Sequence, residues 1–457
     1  MFSQFLKGLS NCYKVPELRQ KILFTLFILG VYRLGCYIPT PGINGTALNE
    51  FFQKMSSANG GGNVFGIMNM FSGGALGKMT VLSLGVMPYI SSSIIMQLLT
   101  AVIPALEKVS KEGQAGYKKI NQYTRYGTVG LAMIQAFFIA LWLENPNTFG
   151  GMQIVANPGW GFCFTTVMTL TAGTVFLMWL GERIQEGGVG NGMSLIITAG
   201  ILSRAPTAYH YLVLLLDPSS GAGQLQPIAV VLMVVFLIGV IIAVTWISQG
   251  QRRIPVQYAR RAAGTTSTAV GQGTFIPLKV DTAGIIAIIF AQSIILFPAT
   301  ISQFLPHTGA VSWFQQLISL IQRGHMGYYL IYGFLIIFFC YFYTAIVFNP
   351  ADVAENLKKH GGFVPGIRPG KETSVYLDYV LSRITLVGSL YICVIAIMPD
   401  WIMASFKVPY LVASFFGGTG VLITVGVMLD TMKQVESHLQ MHHYEGFMKS
   451  GHLRGRR

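Results

Sequence analysis

Side chains that usually do chemistry are thinly spread in this sequence. The segment GGALGKMT at 73–80 comes nearest to a recognisable site, because a phosphate-binding loop sets glycines before Gly-Lys-Ser/Thr. It fails at both ends: Ser72 stands where the first glycine belongs, and Met79 follows Lys78 where a hydroxyl must meet the metal. Neither HExxH nor GxSxG occurs, so metal-assisted hydrolysis and a serine elbow lack their starting residues. The 8 His are dispersed except for His442 and His443. Cys12, Cys36, Cys163, Cys340 and Cys393 are odd in number and share no CxxC or ligand spacing, which reads as small apolar side chains. No cofactor or metal is expected, and no enzymatic step.

The elements that remain are apolar and long. Of 457 residues, 52% are hydrophobic and 11% charged, with a mean hydropathy of +0.56. A soluble body of this size carries about a quarter charged residues. Uncharged runs cover 79–106, 145–181, 218–251, 282–322, 324–351 and 408–429. Such runs match a bilayer, whose core takes about 20 apolar residues per helix. Spans are expected near 21–38, 79–103, 124–143, 160–181, 190–206, 228–248, 283–303, 327–348, 380–399 and 410–429. The fifth is interrupted by Gly187, Gly188, Gly190 and Gly192, and the ninth is marginal. The stretch before Ile22 is amphipathic and no small-residue cleavage site follows the first apolar run, so the first span reads as permanent.

Ten spans place both termini on one face, and the positive charges choose it. Of 31 Lys and Arg, 25 fall on the face of the termini; Arg33, Lys54, Lys78, Arg204, Arg323 and Lys407 fall opposite. Positive charge stays inside, so both termini are expected in the cytosol. Five spans per half would set two halves in opposite orientation, 1–220 and 221–457, although no residue-level repeat is visible. The spans hold no midplane Asp, Glu, His or Lys of the kind ion-coupled transporters use.

Three segments stand outside the spans. Residues 249–281 join QRRIPVQYARR to GTFIPLKV and read as a cytosolic β-hairpin. Residues 349–379 hold GGFVPGIRPG, with Gly and Pro setting turns around Arg368. Val64 to Phe71 is a short apolar piece between Gly60–Gly62 and Gly73–Gly74, too short to cross a bilayer, and reads as a re-entrant or cavity-filling segment buried in protein or as an interfacial loop. Ser91, Ser92, Ser93 and Gln97 in span 2, with Gln292 and Ser293 in span 7, could clamp helices by bonds of about 1 kcal/mol each, or serve ordinary packing.

Several motifs together resemble the SecY family, the central subunit of the bacterial protein-conducting channel. They are RLGCYIPTPGI at 33–43, GIMNMFSGGAL at 66–76, LGVMPYISSSIIMQLL at 84–99, GERIQEGGVGNGMSLII at 181–197, GQRRIPVQYARR at 250–261, LKVDTAGIIAIIFAQSIILFP at 278–298, GGFVPGIRPG at 361–370 and GGTGVLITVGVMLD at 417–430. The resemblance runs from about 15 to 447. It implies an all-α integral membrane protein of ten transmembrane helices, in two inverted five-helix halves, with a short plug helix and long cytosolic loops. It implies a pore ring of Val86, Ile90, Met193, Ile197, Ile289 and Ile423, and a plug near 65–75 with Phe65, Ile67, Met68, Met70 and Phe71. A lateral gate is implied between spans 2–3 and 7–8 at Ser91, Gln97, Ser293 and Phe297. Arg252, Arg253, Arg260, Arg261 and Arg368 are the expected docking residues. The implied partners are the small membrane subunits SecE and SecG, the SecA ATPase, the ribosome, signal peptides and nascent polypeptides, and the lipid bilayer. The implied location is the cytoplasmic (inner) membrane. This chain departs from the family pattern at Val86, Met193, Asp281 and Ala287.

The residues fit that implication physically. An apolar constriction makes ion passage costly without a charged filter. A transporter of the inverted-repeat class, an intramembrane enzyme and a membrane scaffold are the competing classes. Each of the first two needs polar or catalytic groups that the spans do not supply.

Overall fold

The computed structural model describes residues 15–45, 47–48, 51, 64–144, 154–216, 226–258, 274–281, 286–295, 324–406, 408 and 410–450. Helices dominate. In chain order they are α1 (Pro16–Gly35), α2 (Val64–Phe71), α3 (Met87–Val102), α4 (Pro104–Lys111), α5 (Gln114–Glu144), α6 (Trp160–Gly187), α7 (Gly192–Leu202) and α8 (Ala205–Leu216). There follow α9 (Pro227–Gln249), α10 (Ile286–Ile295), α11 (Met326–Val347), α12 (Pro350–Lys359), α13 (Lys371–Phe406), α14 (Tyr410–Phe416) and α15 (Thr419–Ser450).

Helix starts follow from local chemistry. Proline occupies the first turn of α1, α3, α4, α9 and α12, where its missing N–H costs nothing. Asn191 caps α7 by accepting from Ser194 N at 3.3 Å, and Asn349 caps α12 from Ala351 N at 3.1 Å. Inside apolar surroundings several threonines spend their hydroxyls on their own helix: Thr128 donates to Thr124 O at 2.7 Å, Thr198 to Ser194 O at 2.9 Å, and Thr344 to Cys340 O at 2.7 Å. That removes an unsatisfied donor from a medium with no water to take it.

Among the described residues five helices are long and apolar enough to cross a membrane alone, and α3 with α4 reaches that length only as a pair bent by 101° at Ile103. Three expected spans differ from what is found. Span 2 was placed from 79, but α3 begins at Met87; residues 80–86 are turns, because Thr80 pairs with Pro39 and Gly85 takes φ +59. Span 5 is two helices, α7 and α8, broken at Ser203 and Arg204. Span 10 starts at Thr419, after a break at Gly418, where φ is +84 and a Cβ would come within 2.1 Å of Pro399. The expected half boundary at 220 lies outside the described residues, as does most of the expected span 7 beyond Ile295.

Packing sorts the helices into two groups. α5 lies on α3 and α6, and α6 on α1 and α7; α13 lies on α11, α12 and α14, and α9 on α15. The groups meet where α7 packs on α15. Gly190 N donates to Gln434 Oε1 at 2.9 Å across that contact. The expected hairpin is present: β1 (Gln251–Tyr258) pairs antiparallel with β2 (Thr274–Lys279), Ile254 opposite Ile276. A third strand, β3 (Gly362–Phe363), adds to β1 with Gln257 opposite Phe363. The two long loops are therefore one sheet, which the sequence reading kept separate.

Candidate functional site

The six residues of the expected ring arrive from four places: Val86 and Ile90 at the start of α3, Met193 and Ile197 in α7, Ile289 in α10, Ile423 in α15. All six are buried in one apolar cluster, from 0% exposed at Ile423 to 9% at Met193. Met193 is packed differently from the rest: its thioether fills the notch left by Gly181 of α6, where a Cβ would sit 2.5 Å from the sulfur. Met suits this because its unbranched chain adapts to an irregular gap.

A polar cavity lies on the hairpin side of the cluster, with a volume of about 430 Å³. Ile289 and Val427 are among its walls, with Asn191, Ser194, Lys279, Asp281, Asp430 and Lys433 around them. Charges of both signs line it beside the apolar Ile289 and Val427. On the other side of the cluster sits α2. Its Met70 and Phe71 belong to the same apolar cluster as the six, while Met68 packs in a neighbouring one. A methyl added at Gly420 of α15 would lie 3.7 Å from Met70 Cε, so the helix tip rests on both groups of helices. Phe65 and Ile67 fall on α2, with side chains outside those described. The order along the axis is vestibule, apolar cluster, short helix.

Among the described residues one side-chain bond crosses the seam between α3 and α11. Tyr343 Oη donates to Gln97 Oε1, and Gln97 Nε2 donates to Ser93 Oγ at 3.2 Å. Tyr343 is also held edge-on by Phe290 of α10, with ring centroids 5.2 Å apart. The other expected seam residues behave otherwise. Ser293 Oγ donates to Ile289 O of its own helix at 2.7 Å, and Ser91 is half-buried. Ser92, not Ser91, ties α3 to α5 by donating to Thr124 O at 2.8 Å. Gln292 is buried with neither end of its amide bonded. Phe297 lies outside the described residues. Tyr343 was missed in the sequence; the available signal was a phenol inside a span, which needs a partner when buried.

Arg252 and Arg253 are exposed on β1, and Arg253 stacks on Phe275 at 4.8 Å. Arg368 is exposed on the turn between Gly366 and Gly370, and its carbonyl accepts from Thr373 Oγ1 at 2.8 Å. Beneath them Ile254, Leu278, Val364, Leu377, Val380 and Leu381 form a small core of their own. Arg260 and Arg261 lie outside the described residues. Beside this face, on α4, Lys111 holds the Glu107 carboxyl below the usual carboxylate range through a 2.7 Å bond.

Comparison with known proteins decides the lineage. Residues 80–432 match the SecY family as a whole. The chain is 45% identical over 439 residues to the protein translocase subunit SecY of Escherichia coli (strain K12), covering 96% of each chain. The chain belongs to the SecY family. Its fold is similar to a SecY structure described for a plug domain that stabilises the closed channel and maintains a membrane seal, with TM-score 0.58 at 18% identity over 93% of this chain and 95% of that one. It is also similar to Sec61 in the canine ribosome–channel complex of the endoplasmic reticulum, with TM-score 0.55 at 17% identity and the same coverage. The overall fold is thus that of the protein-conducting channels it resembles.

Proposed function

We propose that this chain is the pore-forming subunit of a protein-conducting channel in the cytoplasmic membrane, with both termini in the cytosol. Unfolded secretory polypeptides cross through the apolar cluster, and transmembrane segments leave sideways between α3 and α10–α11. The observation that carries this reading is the buried cluster of Val86, Ile90, Met193, Ile197, Ile289 and Ile423 between a polar vestibule and α2. Such a waist excludes hydrated ions when idle, because no group in it replaces their water. It parts for a polypeptide, because it is held by side-chain packing and not by a ladder of backbone bonds. An apolar segment in the pore gains about 25 cal/mol per Å² on passing into lipid, while a polar one continues through. α2 acts as the plug on the outer side.

No nucleotide motif is present in the sequence, so the driving force is assigned to a partner. The exposed arginines of the three-stranded platform suit ribosomal RNA phosphates or an acidic face of the SecA motor. Companion subunits SecE and SecG are proposed on the same family grounds.

Conductance across a planar bilayer tests the reading. Ile90→Asn or Ile423→Asn puts an amide that must bind water into the waist, at about 1–3 kcal/mol if it finds no partner. Resting ion leak should rise at least about tenfold over the parent. Unchanged leak in both variants, in protein that inserts and melts like the parent, contradicts the proposed waist.

A further inference from the structure

Two of the six cations on the side opposite the termini converge on one turn, and a third lies close by. Lys54, Arg323 and Lys407 fall outside the described residues; Arg33, Lys78 and Arg204 are the other three. Arg33 and Lys78 both stack on Tyr37, at 5.7 and 4.3 Å from its ring centre. Arg33 and Arg204 both reach the Ser72–Ala75 turn that follows α2. Among the described residues no acid forms an ion pair with any of the three.

That turn is built to receive them. Gly74 N donates to Asn69 O at 2.8 Å and Gly73 N to Met70 O at 3.1 Å, the pattern that closes a helix through a left-handed glycine. Gly73 has φ +65 and Gly74 has φ +89. The Gly73 carbonyl is left facing outward, and Arg33 Nη1 donates to it at 3.2 Å. The same nitrogen donates to Ser203 Oγ at 2.8 Å, and Ser203 donates on to Gly200 O at 2.6 Å. Arg204 lies over the next residue: a Cβ on Gly74 would sit 2.8 Å from its Nη1. Its Nε is buried without a bond. Gly200 of α7 allows the approach, since a Cβ there would be 3.2 Å from Phe71 O.

The source of the attraction is the end of α2. Its last carbonyls carry partial negative charge, which favours cations within a turn of it. Against this, the two guanidiniums repel each other. The turn after α2 is therefore held by one charge-assisted bond from Arg33 and by the close packing of Arg204 over Gly74.

We infer that Arg33 and Arg204 form a two-cation latch that seats α2 against α7, making them positioning residues of the resting seal. Arg33 ties the turn to α1 and to Ser203 at the α7–α8 break; Arg204 fixes its far side. The inference rests on the reading of α2 as the plug. It adds why the plug stays, and it assigns a purpose to the break in span 5: Ser203 and Arg204 lie at that break.

The test is resting conductance of the full chain, purified with the subunits that accompany it, in planar bilayers. Arg33→Met should raise the leak about fivefold to tenfold, the loss of its charge-assisted bond to the turn, and Arg204→Met should raise it by at least about twofold, through the lost packing of its guanidinium over Gly74. Arg33→Lys keeps a donor for Gly73 O and should restore most of the seal, which a space-filling role would not require. Thermal midpoints in detergent check that each variant is folded. Deleting residues 65–73 separates the two ideas. If the deletion leaks while both Met variants seal, the latch is wrong and the plug stands. If the deletion seals, the plug reading fails and the latch with it.

Discussion

The waist of the bundle and the platform on its hairpin side are both small apolar clusters, yet they are held together differently. At the waist, side chains from α3, α7, α10 and α15 meet, and among the described residues no strand or backbone bond joins them. In the platform, Ile254 and Leu278 lie on strands whose backbones pair at six positions, and a third strand brings in the second loop. A cluster of independent helices can open along one seam and reclose. A cluster sewn by a ladder moves as one piece. The first suits a gate, and the second suits a surface that a partner pushes against.

The largest effect should come from breaking the platform alone. Leu278 is 1% exposed, and Leu278→Asp buries a charge in that small core, enough to unfold it locally. Partner-driven transport should fall to background in reconstituted vesicles, and protease should cut near 250–280, while resting ion leak stays at the parent level. A rise in leak would mean that the two clusters are not independent.

A smaller effect should come from the seam. Tyr343→Phe keeps the ring against Phe290 and removes the bond to Gln97. An interhelical bond of this kind in lipid is worth about 1 kcal/mol, so sideways release of a marginally apolar test segment should rise by about fivefold. Release measured by glycosylation mapping or crosslinking to lipid reads this; an unchanged ratio would remove Gln97–Tyr343 from the gate.

Legibility in the sequence followed the range of the forces. α9 is apolar on nearly every face and carries no Pro after its first residue, so the hydropathy finds it within one residue at each end. The short α2 was bounded correctly by the glycines on both sides. Span 2 was placed too early because residues 79–86 are as apolar as a helix, while their backbone is committed to pairing with Ile38–Thr40: Val81 N donates to Ile38 O at 3.0 Å. β3 is two residues long and carries no periodicity to read. Tyr343 and Gln97 are 246 residues apart, and nothing local to either announces the other. The apolar ring residues came from motif resemblance, and their gathering into one cluster from tertiary packing. Arg204 looked like a stray outer charge until its place over Gly74 was visible.

The most direct measurement of a dry waist is optical. An environment-sensitive fluorophore attached at Ile423, which is fully buried in the cluster, reports the polarity around it in the resting channel. The account predicts blue-shifted emission that iodide added on either side of the membrane does not quench, turning red and quenchable when a polypeptide is arrested in the pore. Water-like emission, quenched by iodide in the idle channel, would contradict it.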